Sequence, residues 1–268
     1  MTPTQIRGSA ISYPILSKLK LKSFAKLLHK KAREESQEFL AEGVRLCEEL
    51  LLSSLESTAV IFTPRLLESP NGAKLLQQAE QHNLPIWQTD EVELQKLAET
   101  EHPQPILVCA RMRHHQMSPQ FLQQRRVLIL MDITDPGNVG TLIRTAEAFG
   151  WDGMIATGTT ADIYNSKVLR AAMGAAFRFP FAYAGTESLL SCLEDTSVPS
   201  VVSVPRNGMV SPFSSLPDRF VLILGNEAHG VPAQWIARAN WQVTLPMVAP
   251  VESLNVAVAG GILLFLLR

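Results

Sequence analysis

Two kinds of apolar pattern follow one another along the chain. In the first 110 residues, short strand-like runs alternate with segments whose apolar positions recur every three or four residues. The spacing predicts strands over Glu38–Glu42, Ala59–Thr63, Pro85–Thr89 and Pro105–Ala110, and helices over Val44–Leu52, Gly72–His82 and Glu91–Glu99. The polar stretch Arg111–Arg126 interrupts this pattern. Beyond it come continuous apolar runs at Val127–Met131, Gly153–Ala156, Ser200–Val204, Phe220–Leu224 and Gln242–Leu245, as in strands buried on both faces of a parallel sheet. Helical spacing falls between several of them, over Val139–Phe149, Ser166–Ala175, Ser188–Leu193 and Ala233–Ala239. The last apolar run, Val256–Leu267, reads as a buried helix, short of the ~20 residues that a membrane span needs. The expected fold class is α/β: a small α/β domain over residues 1–115, a linker over 116–126 and a parallel-sheet domain over 127–268.

Composition narrows the class. The chain has 268 residues, 46% hydrophobic, with 24 Lys+Arg against 25 Asp+Glu, which excludes both a disordered chain and a polycation that coats nucleic acid indiscriminately. Cys47, Cys109 and Cys192 are odd in number and far apart, so they read as reduced thiols in a cytoplasmic protein. The first 16 residues lack the basic start and long apolar stretch of a secretory leader. No metal site is expected, because the adjacent His114 and His115 have no acid or cysteine partners nearby.

The near-neutral total hides a local asymmetry. Ser17–Arg33 holds seven basic residues and no acid, whereas Glu34–Glu56 holds seven acids against the single Arg45. A helix here would pack Leu19, Phe24, Leu27 and Leu28 on one face. The other face would carry a positive stripe of Lys18, Lys20, Lys22, Lys26, Lys30 and Arg33.

Ligands of open parallel sheets sit beyond the carboxyl ends of the strands, so the loops after Met131, Val204, Leu224 and Leu245 are the informative ones. After Met131 come Asp132, Asp135, a Pro136-Gly137 turn and a helix expected to start near Asn138, with Arg144 about 120° further round it. After Leu224 comes Gly225-Asn226-Glu227-Ala228-His229-Gly230, whose glycines permit sharp bends. After Leu245 come Pro246-Met247 and then Glu252-Ser253-Leu254-Asn255-Val256. Ser253 is the expected helix cap there, and Asn255 reads as a buried amide in need of partners. No GxGxxG fingerprint supports a dinucleotide site.

These three segments resemble the three motifs of the SpoU (TrmH-type) RNA ribose 2′-O-methyltransferases of the SPOUT superfamily. The resemblance spans about Val127 to the end of the chain. A looser similarity, carried by the basic start, Arg33 and Glu42-Gly43-Val44-Arg45, links the first part to the family's ribosomal-protein-like RNA-binding domain. The resemblance implies a C-terminal trefoil knot, a homodimer and S-adenosylmethionine as cofactor. The cofactor would be held by Val204, Pro205, Leu224, Gly225, Asn226, Gly230, Leu245, Met247 and Leu254. Arg144, Asn138, Glu227, Ser253 and Asn255 would serve catalysis, and the lysine stripe, Arg33 and Arg144 would contact RNA. Ala249-Pro250 stands where the family often has Gly after the third-motif Met. Ribosomal RNA is the favoured substrate; a tRNA methyltransferase and a non-catalytic RNA-binding protein on the same scaffold are the alternatives.

Overall fold

Two sheets of different construction organise the protein. The computed structural model describes residues 12–113, 115–210 and 216–268, so His114 of the histidine pair and most of the first 16 residues lie outside the described residues. The chain divides into two units, one of Met1–Leu51 with Glu56–Arg111, the other of Leu52–Leu55 with Met112–Arg268.

The first unit contains α1 (Lys18–Lys26), α2 (Lys30–Ser36), β1 (Glu38–Glu42), α3 (Val44–Leu52), β2 (Ser57–Phe62), α4 (Pro70–Gln81), β3 (Ile86–Gln88), α5 (Glu91–Gln95) and β4 (Ile106–Arg111). Its sheet runs β1-β4-β2-β3. β4 is antiparallel to both of its neighbours, with Leu40 opposite Cys109 and Phe62 opposite Ile106, and β3 is parallel to β2. The basic segment is two helices where one was expected. Ser17 caps α1 by accepting from Lys20 N, and α1 closes at Leu27. Leu16 and Leu21 pack with Ile61, Leu94, Leu97 and Leu107. Burial of that face, not the charge pattern, anchors the helix.

The second unit contains β5 (His115–Gln116), α6 (Pro119–Leu122), β6 (Arg126–Met131), α7 (Pro136–Ala148), β7 (Gly153–Thr157), α8 (Ser166–Ala172), α9 (Ala175–Arg178), β8 (Phe181–Ala184), α10 (Thr186–Thr196), β9 (Ser200–Ser203), β10 (Phe220–Leu224), α11 (Ala233–Arg238), β11 (Trp241–Val243) and α12 (Val256–Leu266). The sheet order is β11-β9-β10-β6-β7-β8-β5, and every pairing is parallel. The β6 and β10 residues below Leu130 and Leu224 are matched in register, which brings the loops after both strands to the same edge. α7 lies so close to α8 that a Cβ on Gly140 would fall 2.6 Å from the Val168 carbonyl oxygen. Trp151 Nε1 donates to the Leu264 carbonyl at 3.1 Å, tying the turn after α7 to α12.

Three expectations differ from this architecture. Residues 116–126 contain α6, and Phe121 and Leu122 are buried in the core of the sheet, so the segment is packed where a linker was expected. Strand β8 escaped the pattern because only its first two residues are buried. The helix over Ser166–Ala175 is broken at Met173, whose φ of 54° is left-handed. No helix among the described residues is long and apolar enough to cross a membrane.

Candidate active site

The first candidate loop leaves β6 and enters α7 two residues earlier than the sequence suggested. Pro136 occupies the first turn, where its missing N–H costs nothing, and Asp135 caps the helix by accepting from Asn138 N at 2.9 Å. The second loop leaves β10 and closes on itself: Gly230 N donates to the Asn226 carbonyl at 2.8 Å. A Cβ on Gly225 would lie 2.3 Å from the Gly230 carbonyl carbon, so glycine is needed for that closure. The third loop leads from β11 into α12, and its cap corrects the expectation. Asn255, not Ser253, caps the helix, with Oδ1 accepting from Ala257 N (2.9 Å) and Val258 N (3.2 Å). Asn255 is also exposed where a buried amide was expected.

The three loops meet through their side chains. Asn138 Nδ2 donates to Glu227 Oε1 at 2.6 Å, and Asn255 Nδ2 donates to Asn138 Oδ1 at 3.0 Å. The chemistry at both ends sets the orientation of this relay. A carboxylate only accepts and helix N–H groups only donate, so each intervening amide has one satisfactory flip. Residues 89 and 117 positions apart are thereby locked to a common point.

Beside the relay lies a cavity of about 610 Å³ at the carboxyl ends of β9 and β10. All nine residues expected to hold a cofactor line it: Val204 and Pro205 from the loop after β9, Leu224, Gly225, Asn226 and Gly230 around β10, and Leu245, Met247 and Leu254 from the last loop. Thr244 Oγ1 donates to the Pro205 carbonyl at 3.1 Å, stitching two of these loops together. Glu227 and Ser253 also line the cavity, whereas Asn138 and Asn255 line an adjoining groove between α7 and α12. His229 and Glu252, which stand within the expected motif loops but were given no role of their own, also line the cavity. A volume of several hundred Å³, apolar walls and a few converging polar groups suit a nucleoside-sized ligand. The strand-end backbone and apolar Leu224, Leu245 and Met247 suit a nucleoside, and Glu227, Glu252 and Ser253 add polar side chains to the lining.

Arg144 stands apart. It is exposed on α7, lines neither the cavity nor the groove, and its side chain makes no hydrogen bond or ion pair among the described residues.

The candidate RNA-contacting residues divide. Lys18, Lys22 and Lys26 are exposed at i, i+4 and i+8 on α1, which places them on one face, and no side-chain partner holds them among the described residues. Lys20 lies over the Trp87 ring at 4.3 Å, and Lys30 pairs with Glu34 at 3.7 Å. Arg33 does not join the stripe. It is only 4% exposed, and Nη1 donates to the Leu27 and Leu28 carbonyls at 2.8 and 3.0 Å, closing the end of α1.

A cavity walled by the strand-end loops of a parallel sheet, with an oriented polar relay at its edge, defines an α/β protein with a site for a nucleoside-sized ligand. Comparison with known proteins makes the class specific. Residues 125–265 match the model of the SpoU rRNA Methylase family, and residues 18–108 match the MRM3-like substrate binding domain. The chain belongs to the SpoU rRNA methylase family. It is 33% identical to the 23S rRNA (guanosine(2553)-2′-O)-methyltransferase RlmP of Bacillus subtilis (strain 168), over 93% of this chain and 96% of that one. It is 26% identical to the 23S rRNA (adenosine(1067)-2′-O)-methyltransferase of Streptomyces azureus, over 73% and 74% respectively. The crystal structure of an AdoMet-bound rRNA methyltransferase from Sinorhizobium meliloti superposes with a TM-score of 0.81 at 26% identity, covering 95% of this chain and 96% of that chain.

Proposed function

We propose that this protein transfers a methyl group from S-adenosylmethionine to a ribose 2′-hydroxyl of ribosomal RNA. The observation that carries the reading is the Asn255–Asn138–Glu227 relay set against the cavity at the strand ends. The relatives described above are named for a guanosine and an adenosine target, so the ribose and not the base is what their shared chemistry addresses.

S-adenosylmethionine, when bound, supplies a methyl carbon made electrophilic by its sulfonium. The chain's own residues supply alignment and removal of one proton. Gly225, Leu245 and Leu254 would hold the donor largely through backbone groups, and Met247 would offer an apolar surface to its adenine. Asn138 and Asn255 keep Glu227 in place. Glu227 Oε1 accepts from Asn138, and Oε2 is left to take the hydroxyl proton. A guanidinium stays protonated, so Arg144 acts as an anchor for the RNA phosphate beside the attacked ribose. The reaction needs neither metal nor covalent intermediate.

Lys18, Lys22 and Lys26 form the RNA-docking face of the first unit, and Arg33 supports it from beneath. The exposed apolar residues Val258, Ile262, Phe265 and Leu266 on α12, beside the groove with α7, support a homodimer in which a second copy covers this face. The close packing of α12 near β10 and α7 accords with the family's knotted C-terminal segment. We assign the protein to the cytoplasm, on its three cysteines without a disulfide and its rRNA-directed relatives.

The test is methylation of purified ribosomal RNA with labelled S-adenosylmethionine, followed by mapping of sites resistant to alkaline hydrolysis. One new 2′-O-methyl position in rRNA is expected. A mark on tRNA alone overturns the substrate assignment, and no binding of S-adenosylmethionine in calorimetry favours a non-catalytic RNA-binding protein.

A further inference from the structure

Two neighbouring residues hold the Gly225–Gly230 loop from two directions. Glu227 is held by Asn138, as described. Asn226 is held by Asp132, a residue outside the expected site: Asn226 Nδ2 donates to the Asp132 backbone carbonyl at 2.8 Å. At its other end, Asn226 Oδ1 accepts from Ala228 N (2.8 Å) and His229 N (3.2 Å). One amide therefore ties the loop to the end of β6 and also folds the loop that walls the cavity.

The direction of the Asp132 carbonyl depends on the backbone of Asp132 itself. Its φ of 57° is left-handed, a conformation that Asp, Asn and Gly adopt more readily than other residues. The side chain supplies the hold. Asp132 Oδ1 accepts from Thr159 N at 2.8 Å and from Thr159 Oγ1 at 3.0 Å. The turn after β7 is shaped around this carboxylate: a Cβ on Gly158, itself at φ +58°, would lie 2.1 Å from Asp132 Oδ1. Next in the chain, Thr160 Oγ1 accepts from Ile133 N at 3.3 Å and shares its hydroxyl hydrogen between the Thr157 carbonyl at 2.8 Å and the Leu130 carbonyl at 3.1 Å, which braces the backbone beside Asp132. Asp132 is not among the residues that line the cavity.

We propose that Asp132 is a positioning residue for methyl-donor binding. Its carboxylate, clasped by Thr159, holds the left-handed backbone that presents its carbonyl to Asn226, and Asn226 in turn shapes the cavity loop. The proposal rests on the reading of the cavity as the S-adenosylmethionine site.

The test compares Asp132→Asn, Asp132→Ala, Asp132→Gly and Gly158→Ala in the full chain. The readouts are S-adenosylmethionine affinity by calorimetry, and hydrogen exchange at the Ala228, His229 and Gly230 amides without ligand. Asp132→Asn keeps the acceptor and tolerates the backbone, so it stays close to wild type. Asp132→Ala loses both and weakens binding roughly tenfold, with faster exchange confined to the loop. Asp132→Gly relieves the backbone but lacks the clasp, so it also weakens binding. Gly158→Ala does the same with Asp132 chemically intact, and decides the matter if Asp132→Ala fails to fold. Wild-type affinity and wild-type loop exchange in Asp132→Gly and Gly158→Ala overturn the proposal while leaving the donor site standing. A wild-type protein that binds no S-adenosylmethionine overturns both.

Discussion

The outer face of α1 and the relay beside the cavity use polar side chains in opposite ways. Lys18, Lys22 and Lys26 project from one helix with no partner among the described residues, so their charge is available to whatever approaches. Asn138, Glu227 and Asn255 come from three distant segments and form one chain of hydrogen bonds that ends on the α12 backbone, so their geometry is settled before any ligand arrives. Exposed charges without a partner on a helix attract a polyanion and tolerate small displacements. An oriented relay attracts little at a distance, but it holds an acceptor within the tolerance that methyl transfer demands. On the proposed function the α1 lysines would attract RNA and the relay would serve the chemistry, with Arg144 of the second unit as a further RNA contact.

The largest effects should come from breaking the catalytic side of this contrast. Arg144→Ala is expected to lower turnover by at least ~10²-fold while leaving S-adenosylmethionine affinity nearly unchanged, because Arg144 lies outside the cavity lining. Wild-type turnover in that variant would contradict the phosphate-anchor role. Asn138→Ala removes the middle of the relay, and a loss of ~10- to 100-fold in kcat is expected, with a smaller change in donor affinity. Kinetics under saturating donor measure the split.

Stability effects come next. Gly140→Val drives a side chain into the backbone of α8 and should destabilise the protein by ~1–3 kcal/mol, read in a denaturant titration. Arg33→Met leaves the Leu27 and Leu28 carbonyls without their charged donor, and a loss of ~1–3 kcal/mol is expected. If Arg33→Met instead weakened RNA binding with no change in stability, the placement of Arg33 inside the helix junction would be refuted. The smallest and most gradual effect belongs to the stripe. Replacing Lys18, Lys22 and Lys26 together by Gln should weaken RNA binding and flatten its salt dependence by up to ~0.7–0.9 for each phosphate left without a lysine. Lys20→Gln, which removes the ammonium from the Trp87 ring, should change the salt slope least. Equal slopes for the two variants would show that the stripe does not distinguish free lysines from engaged ones.

Much of the second unit was legible because its strands are buried on both faces. Runs such as Phe220–Leu224 need no partner to be recognised, and the loops after them follow from the general placement of sites in parallel sheets. The first unit was legible as elements but not as a sheet. Nothing in the spacing of Ile106–Arg111 states that the last strand inserts between β1 and β2, since period-two patterns report faces and not neighbours. α6 is hidden in the sequence because Phe121 and Leu122 sit among polar residues, and two buried side chains in so short a helix leave no periodicity to detect. Asp132 was visible in its loop but its role was not, because it reaches Asn226 through a backbone carbonyl, and a carbonyl has no signature in a side-chain pattern.

By itself the sequence determined the residue types, their order, the apolar runs that become strands, and the motif spacing that carries the family resemblance. It also set the uneven charge that makes α1 basic within a nearly neutral chain. Only the tertiary structure decided which polar groups are available and which are engaged. Arg33 and Lys18 are both basic residues in one segment, yet one closes a helix end and the other faces solvent. Asn138 and Asn255 are both amides near a helix start, yet together they form a single path to Glu227. The physical reason is that hydrogen bonding and burial depend on distances between segments far apart in the chain, which are set when the sheet aligns the ends of its strands.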